Sequence, residues 1–260
     1  MDAEEARKWA QRLSEAAETR MPIEPITSQV PGLSVDDAYA IQTEWADLKL
    51  AAGDSVVGYK LGITSKPMQD LIGVREPDYA PVFASGVVDD GQSVDTGSFI
   101  QLKVEAEISL VLNRDLTGPG VTALQAARAI AGAVASIEIV DSRIADWKIK
   151  LPDTIADMAS SGATVLSPRL IPIDDFDVRL LGMLITRNGE LMGTGAGAAA
   201  LGNPVRAVAW LANTLAPYGV TLEADRFVMT GALHAAFEVQ AGDVVRAEFD
   251  RLGSVTVRMT

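Results

Sequence analysis

Two glutamates two residues apart in a run that alternates strictly constrain this chain more than anything else in it. From Ile100 to Val111, Leu102, Val104, Ala106, Ile108 and Leu110 fall on one side of an extended strand, and Lys103, Glu105, Glu107 and Ser109 on the other. Two carboxylates aimed the same way repel one another, so a cation, a proton or solvent must offset them. A third carboxylate, Glu138, sits between Ile137 and Ile139 in a second strand-like run, where an unpaired charge is expensive to bury. Three carboxylates converging on a dry site form an oxygen-ligand set for a hard divalent ion such as Mg²⁺ or Mn²⁺. The other reading of the same spacing is a solvated sheet face on which Lys103 and other basic residues pair the glutamates.

The remaining pattern is mixed. Glu4 to Arg20 reads as a helix with Trp9, Leu13, Ala16 and Ala17 inward, and the prolines between Pro22 and Gly32 end it. Ser34 with Asp37 opens a second helix that Gly53 stops. From Ser55 to Ile63 the chain reads as a strand, followed by a proline-rich loop around Glu76–Pro81. Thr122 with Gln125 forms a capping box that opens a helix through Ala133. Asn188-Gly189 marks a hairpin, and Asn203-Pro204 opens a helix. Phe227 to Met259 reads as strand after strand, with clean alternation over Ser254–Arg258. These elements predict an α+β chain: an N-terminal helical lobe over 1–54 and a catalytic domain over 55–260, in one compact unit with an antiparallel or mixed β core.

Composition narrows the function. With 260 residues, 48% of them hydrophobic, the chain can bury a large core. No apolar run reaches the roughly 18–20 residues that span a bilayer, and the acidic N-terminus does not read as a secretory signal. Cysteine is absent, which excludes disulfides, thiolate metal sites and cysteine nucleophiles. A net charge of -13 argues against nucleic acid and anionic membranes as partners. A cytoplasmic location fits this composition. His234 is the single histidine, and its scarcity and late position count against a Ser-His-Asp triad.

Several short runs occur in order: Val57–Ser65, Gly73–Tyr79, Val104–Ile108, Ile137–Arg143, Asp153–Asp157, Thr194–Gly197 with Leu201–Pro204, and Met229–Ala232. Each is weak alone. Together they resemble the 2-keto-4-pentenoate hydratase and 4-oxalocrotonate decarboxylase family within the fumarylacetoacetate hydrolase superfamily, over nearly the whole chain from about Arg20. The resemblance implies the mixed β core of the fumarylacetoacetate hydrolase C-terminal domain, a β-roll or flattened barrel, with the small helical lobe attached. It implies a homo-oligomer, with a decamer as one form, and association with a paralogous decarboxylase or an aldolase.

The resemblance also implies that Glu105, Glu107 and Glu138 hold Mg²⁺ or Mn²⁺, and that the substrate is a 2-hydroxy-2,4-dienoate. Lys60 would stand beside the substrate oxygens and Asp78 would handle the water, giving a 4-hydroxy-2-oxoalkanoate in aromatic meta-cleavage catabolism. Gly62, Ser160, Thr230 and Gly231 would line or cradle the substrate. Two positions depart from the family pattern. Met158 stands where an asparagine is usual and Ala80 where a glycine is usual, both in or beside the expected pocket. An apolar Met158 there would favour a substrate with an apolar tail. The alternatives are a 4-oxalocrotonate decarboxylase, which shares the glutamates and the lysine; an acylpyruvate hydrolase, which needs a His–Glu pair; and an inactive partner subunit. Asp78 favours the hydratase, because only hydration needs a second proton-transfer group.

Overall fold

In the computed structural model, which describes residues 1–260, the alternating run around Glu105 is the middle of a curled sheet. The chain forms helices α1 (Ala3–Thr19), α2 (Ile26–Gln29) and α3 (Val35–Ala51), then β1 (Val56–Gly62), α4 (Lys66–Ile72), β2 (Asp78–Phe83), β3 (Val87–Asp89) and β4 (Ser93–Val94). There follow β5 (Lys103–Leu112), α5 (Ala123–Ala129), β6 (Ile130–Val140), α6 (Leu151–Ala156), β7 (Ser161–Leu166), β8 (Gly182–Arg187) and β9 (Glu190–Ala196). The last elements are α7 (Pro204–Leu215), β10 (Phe227–Met229), β11 (Phe237–Glu238), β12 (Val244–Phe249) and β13 (Gly253–Met259).

The larger sheet has the order β2-β1-β10-β5-β6-β7-β3, with β11 added beside β5. Only the β1–β10 and β3–β7 pairs in it are parallel. A second sheet, β4-β13-β12-β8-β9, lays β12 and β13 against β6. The apolar side of β5 explains this layering. Val104, Ala106, Ile108 and Leu110 are fully buried in a core shared with Ile137 and Ile139 of β6 and Val245, Val255 and Val257 of the second sheet. The fold is the α+β arrangement with a mixed sheet that the pattern predicts, curled as the resemblance implies.

The capping signals act as read. Ser34 accepts from the Asp37 amide while Asp37 accepts from the Ser34 amide, and Thr122 and Gln125 do the same for α5. Asn203 caps α7, and Asn188-Gly189 turns β8 into β9 with φ above zero at both turn residues. Two expectations are corrected. The helix expected through Ala133 stops at Ala129, because Ile130–Ala133 pair with β5 and extend β6 instead. The stretch expected as a loop through Pro81 becomes β2 from Asp78 onward. Pro81 is tolerated there because β2 is the sheet's edge strand and makes its ladder with β1 alone.

The N-terminal helices pack onto the sheet through side chains rather than through a linker. Trp9 and Leu13 of α1 and Ile41 and Trp45 of α3 share one apolar cluster with Ala80, Ile144, Ile155 and Met158. Polar contacts fasten the same contact. Gln42 donates to the carbonyls of Tyr79 (2.9 Å) and Ile155 (2.8 Å), and Thr27 donates from its amide and hydroxyl to Asp153. Met158 therefore faces the helices, beside Trp45 and Phe83, and lines a pocket of about 200 Å³ that none of the glutamates touches. Its expected place in the substrate pocket is corrected. Met158→Asn should leave a buried amide without partners and lower stability by about 2 kcal/mol in urea titration, with any preference among the dienoates that the resemblance implies unchanged. A shifted substrate preference at full stability would return Met158 to the substrate pocket.

Candidate active site

The polar side of β5 faces the inside of the curl, where Glu107 and Ser109 are buried and Glu105 is half-buried. Glu107 and Glu138 are each 1% exposed and Ser109 is fully buried, which removes the reading of a solvated sheet face. In register, Glu105 lies directly opposite Glu138 across the β5–β6 ladder, and Glu107 opposite Ser136. Like charges placed opposite one another destabilise a ladder unless something offsets them. Carboxylate oxygens of Glu105, Glu107 and Glu138 lie within 4.8 Å of one another.

Lys60 reaches this cluster because β10 places its strand two positions from β5: Lys60 is paired with Met229, and Met229 with Ser109. The buried ammonium lies 2.8 Å from Glu138 Oε1 and donates to the carbonyl of Ala159 at 2.6 Å. Burial works against its charge, but Glu138, Asp78 and Glu107 outweigh it and hold the ammonium above the usual lysine range. Asp78 enters from the neighbouring edge strand. The β1–β2 register pairs Gly62 with Asp78 and Lys60 with Ala80, so all four share one side of the sheet. Gly62 has no alternative there, since a Cβ on it would stand 2.2 Å from Asp78 Oδ1.

One ammonium faces four carboxyl groups, and the imbalance shows in their protonation. Burial, then the charge of Glu138, pushes Glu105 up to about 7. Burial pushes Asp78 up to about 6 against the pull of Lys60. Glu107 is raised well above the usual range by burial and by Glu138 and Glu105. Glu107 Oε1, both oxygens of Glu138 and Asp78 Oδ1 are buried without a hydrogen-bond partner; the ion pair to Glu138 falls outside hydrogen-bond geometry. Three converging carboxylates, two of them with orphaned oxygens, are the donor set of a hard divalent cation, and the residues present fit one.

Around this cluster stand the residues expected to line or cradle the substrate. Gly231 donates its amide to Glu107 Oε2 at 2.8 Å, and its φ of +105° with Thr64 against it demands glycine. Thr230 gives its hydroxyl to the Ile108 carbonyl at 2.8 Å. Ser160 is buried with its hydroxyl 3.3 Å from that of Thr154. It ends a run of three left-handed residues, Met158, Ala159 and Ser160, whose φ values are 53°, 48° and 54°. Such a backbone costs about 1–2 kcal/mol per residue. The buried Arg143–Asp157 ion pair braces it, with Arg143 also donating to the carbonyls of Asp157 and Ser161. The run aims Ala159's carbonyl at Lys60, a contact that no side-chain pattern announces. His234 has both ring nitrogens on backbone: Nε2 accepts from the Ala106 amide at 2.8 Å and Nδ1 lies 2.7 Å from the Ala235 carbonyl, so Nδ1 carries the proton. It holds the peptide between Glu105 and Glu107 and is not placed as a water-activating base.

A cleft of about 840 Å³ leads from the surface to Glu105, with Gly62, Thr64, Ala232 and His234 in its walls. Glu107 and Glu138 converge on Glu105 there, and Asp78 stands against Gly62 of the wall. The pH dependence of the metal-free protein follows from the raised carboxyls. Asp78, Asp157, Glu105 and Glu107 all bind protons more tightly folded than unfolded, Asp157 being pushed up to about 6 by burial despite Arg143. The folded state therefore holds more protons across the window from about pH 4 to about pH 7, and stability falls as pH rises through it. Calorimetric scans of metal-free protein should give a lower Tm at about pH 8 than at about pH 5, with added Mg²⁺ recovering more at the higher pH. A Tm that rises over the same interval would contradict the site's charge balance.

Residues 65–260 match the fumarylacetoacetate (FAA) hydrolase C-terminal family. The chain is 44% identical over 251 residues to a 2-keto-4-pentenoate hydratase of Burkholderia vietnamiensis, covering 96% of each. It is 41% identical over 255 residues to a 2-keto-4-pentenoate hydratase of Paraburkholderia xenovorans, covering 98% of this chain and 95% of that one. Among solved structures, the 4-oxalocrotonate decarboxylase of Pseudomonas putida G7, complexed with magnesium and adipate, superposes with a TM-score of 0.97 at 35% identity, covering 100% of this chain and 99% of that one. From its matched residues, its curled sheet and these full-length likenesses, the chain belongs to the fumarylacetoacetate hydrolase family.

Proposed function

We propose that the protein is a hydro-lyase that adds water to a 2-hydroxy-2,4-dienoate and yields a 4-hydroxy-2-oxoalkanoate. The observation that carries this reading is Asp78: a buried carboxyl with an unpartnered oxygen, beside Lys60, pushed up to about 6. A group poised near neutrality accepts a proton and returns it within one turnover. The hydratase relatives, at 41–44% identity, support the same reading.

Glu105, Glu107 and Glu138 would hold Mg²⁺ or Mn²⁺, and the ion would supply Lewis-acid stabilisation of charge on the substrate's oxygens. Lys60 keeps one of its three N–H donors for Ala159 and places its charge against Glu138. A remaining donor faces the anionic oxygen at C2 as the 2-hydroxyl gives up its proton and C5 gains one. Water then bonds through oxygen to C4, Asp78 accepts the proton that water loses, and C3 is protonated. The curled sheet keeps bulk water from this exchange, which strengthens every one of these contacts. A homo-oligomer in the cytoplasm, acting on ring-cleavage products, completes the reading.

A second reading, the decarboxylase, is favoured by the TM-score of 0.97 to the Pseudomonas putida enzyme. Loss of CO₂ needs the glutamates and Lys60 but no group to deprotonate water, so Asp78 separates the two. Asp78→Asn should cut hydration by roughly 10²–10⁴-fold while deuterium uptake at C3 or C5 continues. Normal hydration by that variant, or release of CO₂ from a 4-oxalocrotonate by the unmodified protein, would defeat the hydratase assignment. Glu107→Gln, which removes one of three ligands, should lose most Mg²⁺ affinity in titration calorimetry with the fold retained by circular dichroism. Unchanged affinity would move the metal elsewhere.

A further inference from the structure

The cleft carries information about the far end of the substrate that the glutamates do not. Its walls are Leu61 and Ile63 after Lys60, Met68 and Leu71 on α4, Leu201 before α7, and Leu233 after the Gly231 turn. Met68 is 37% exposed and Leu71 79% exposed, so the helix over the entrance presents bare apolar surface to whatever enters. Charge is scarce. Glu105 stands at the inner end, and the one cation in the wall is Lys66. Its ammonium pairs with Asp70, one helical turn along α4, with both side chains largely exposed, and the pair leaves that surface without net positive charge. Arg206 is the next guanidinium: it lies 3.9 Å from the place of a Cβ on Gly202, but it is solvent-exposed and outside the cleft wall. No arginine lines the path.

We infer that this cleft selects dienoates with a short, uncharged apolar tail and discriminates against homologues whose tail ends in a second carboxylate. The inference rests on the hydratase reading for the head of the substrate and adds the chemistry of its tail. A carboxylate at the end of the tail meets the apolar flanks of Met68, Leu71 and Leu201 and no unpaired cation, whereas a methyl or propyl tail covers apolar surface that is otherwise wet. Discrimination comes from α4 and the Leu201 loop. Met158, which faces the N-terminal helices, takes no part.

Saturated 2-oxo acids test this by binding alone, since they carry no double bond to hydrate. The full-length protein loaded with Mg²⁺ is titrated in a calorimeter with 2-oxoheptanoate and with 2-oxoheptanedioate, which share a chain length and differ in the terminal group. The monocarboxylate should bind at least about tenfold more tightly. Leu71→Arg and Met68→Lys alter exposed positions, so the fold should persist. Each should improve the dioate's affinity about tenfold while changing that of 2-oxopentanoate, which is two carbons shorter and has no second carboxylate, far less. A dioate bound as tightly as 2-oxoheptanoate by the unmodified protein overturns the tail assignment and leaves the hydratase reading standing. Variants that do not change the gap overturn the placement of the tail against α4. Failure of every 2-oxo acid to bind, with Mg²⁺ still bound, overturns the hydratase reading and the inference together.

Discussion

The contact on which the rest depends is the ion pair between Lys60 and Glu138 inside the curl of the larger sheet. It is 2.8 Å long and buried on both sides, in a place where Glu105 already opposes Glu138 in register. A buried pair of this kind adds little stability by itself, because both ions lose their hydration. Its value lies in fixing where charge stands. Lys60 offsets one carboxylate of the group and leaves the others short of a partner. The site is therefore built around a deficit of positive charge, of the kind a divalent cation would meet.

The backbone is arranged to keep this unfavourable cluster in place. Gly231 and His234 hold β5 from the same turn, one by donating to Glu107's side chain and the other by accepting from the amide between the two glutamates. On the opposite side, the left-handed run from Met158 to Ser160 stores strain that Arg143 and Asp157 absorb, and the result is a carbonyl placed on Lys60. The helical lobe contributes through packing: Trp45 and Ile41 press on Met158, and Gln42 ties Tyr79 to Ile155. Strain near the chemistry is thus balanced by apolar burial some residues away.

Much of this was legible in the residues. Alternation around Glu105 and Glu107 marks the strand and its two faces, and the capping residues Ser34, Thr122 and Asn203 mark helix starts within a residue. The convergence of Glu138 on the pair was readable because a glutamate flanked by isoleucines in a buried strand must find its counter-charge inside the protein. What stayed hidden depends on neighbours that are distant in sequence. Pro81 looks like a loop residue until β2 proves to be an edge strand. Ile130–Ala133 look helical until β5 claims them. Met158 looks like a pocket residue until the left-handed backbone turns its side chain toward α3. Ala159's part is played by a carbonyl, which every residue has, so its identity carries no signal.

The position of β10 has a consequence for how the protein is made. Residues 227–229 lie between β1 and β5, so Lys60 and Glu107 become neighbours only after a strand from the last part of the chain has slipped between theirs. During synthesis the glutamate ladder of β5 and β6 can zip early, since those strands are close in sequence, whereas the lysine side must wait. Until β10 is in place, the three clustered acids stand without the lysine that faces them. Closure by β10 therefore completes the charge arrangement last, while the cleft that ends at Glu105 leaves the site open to solution.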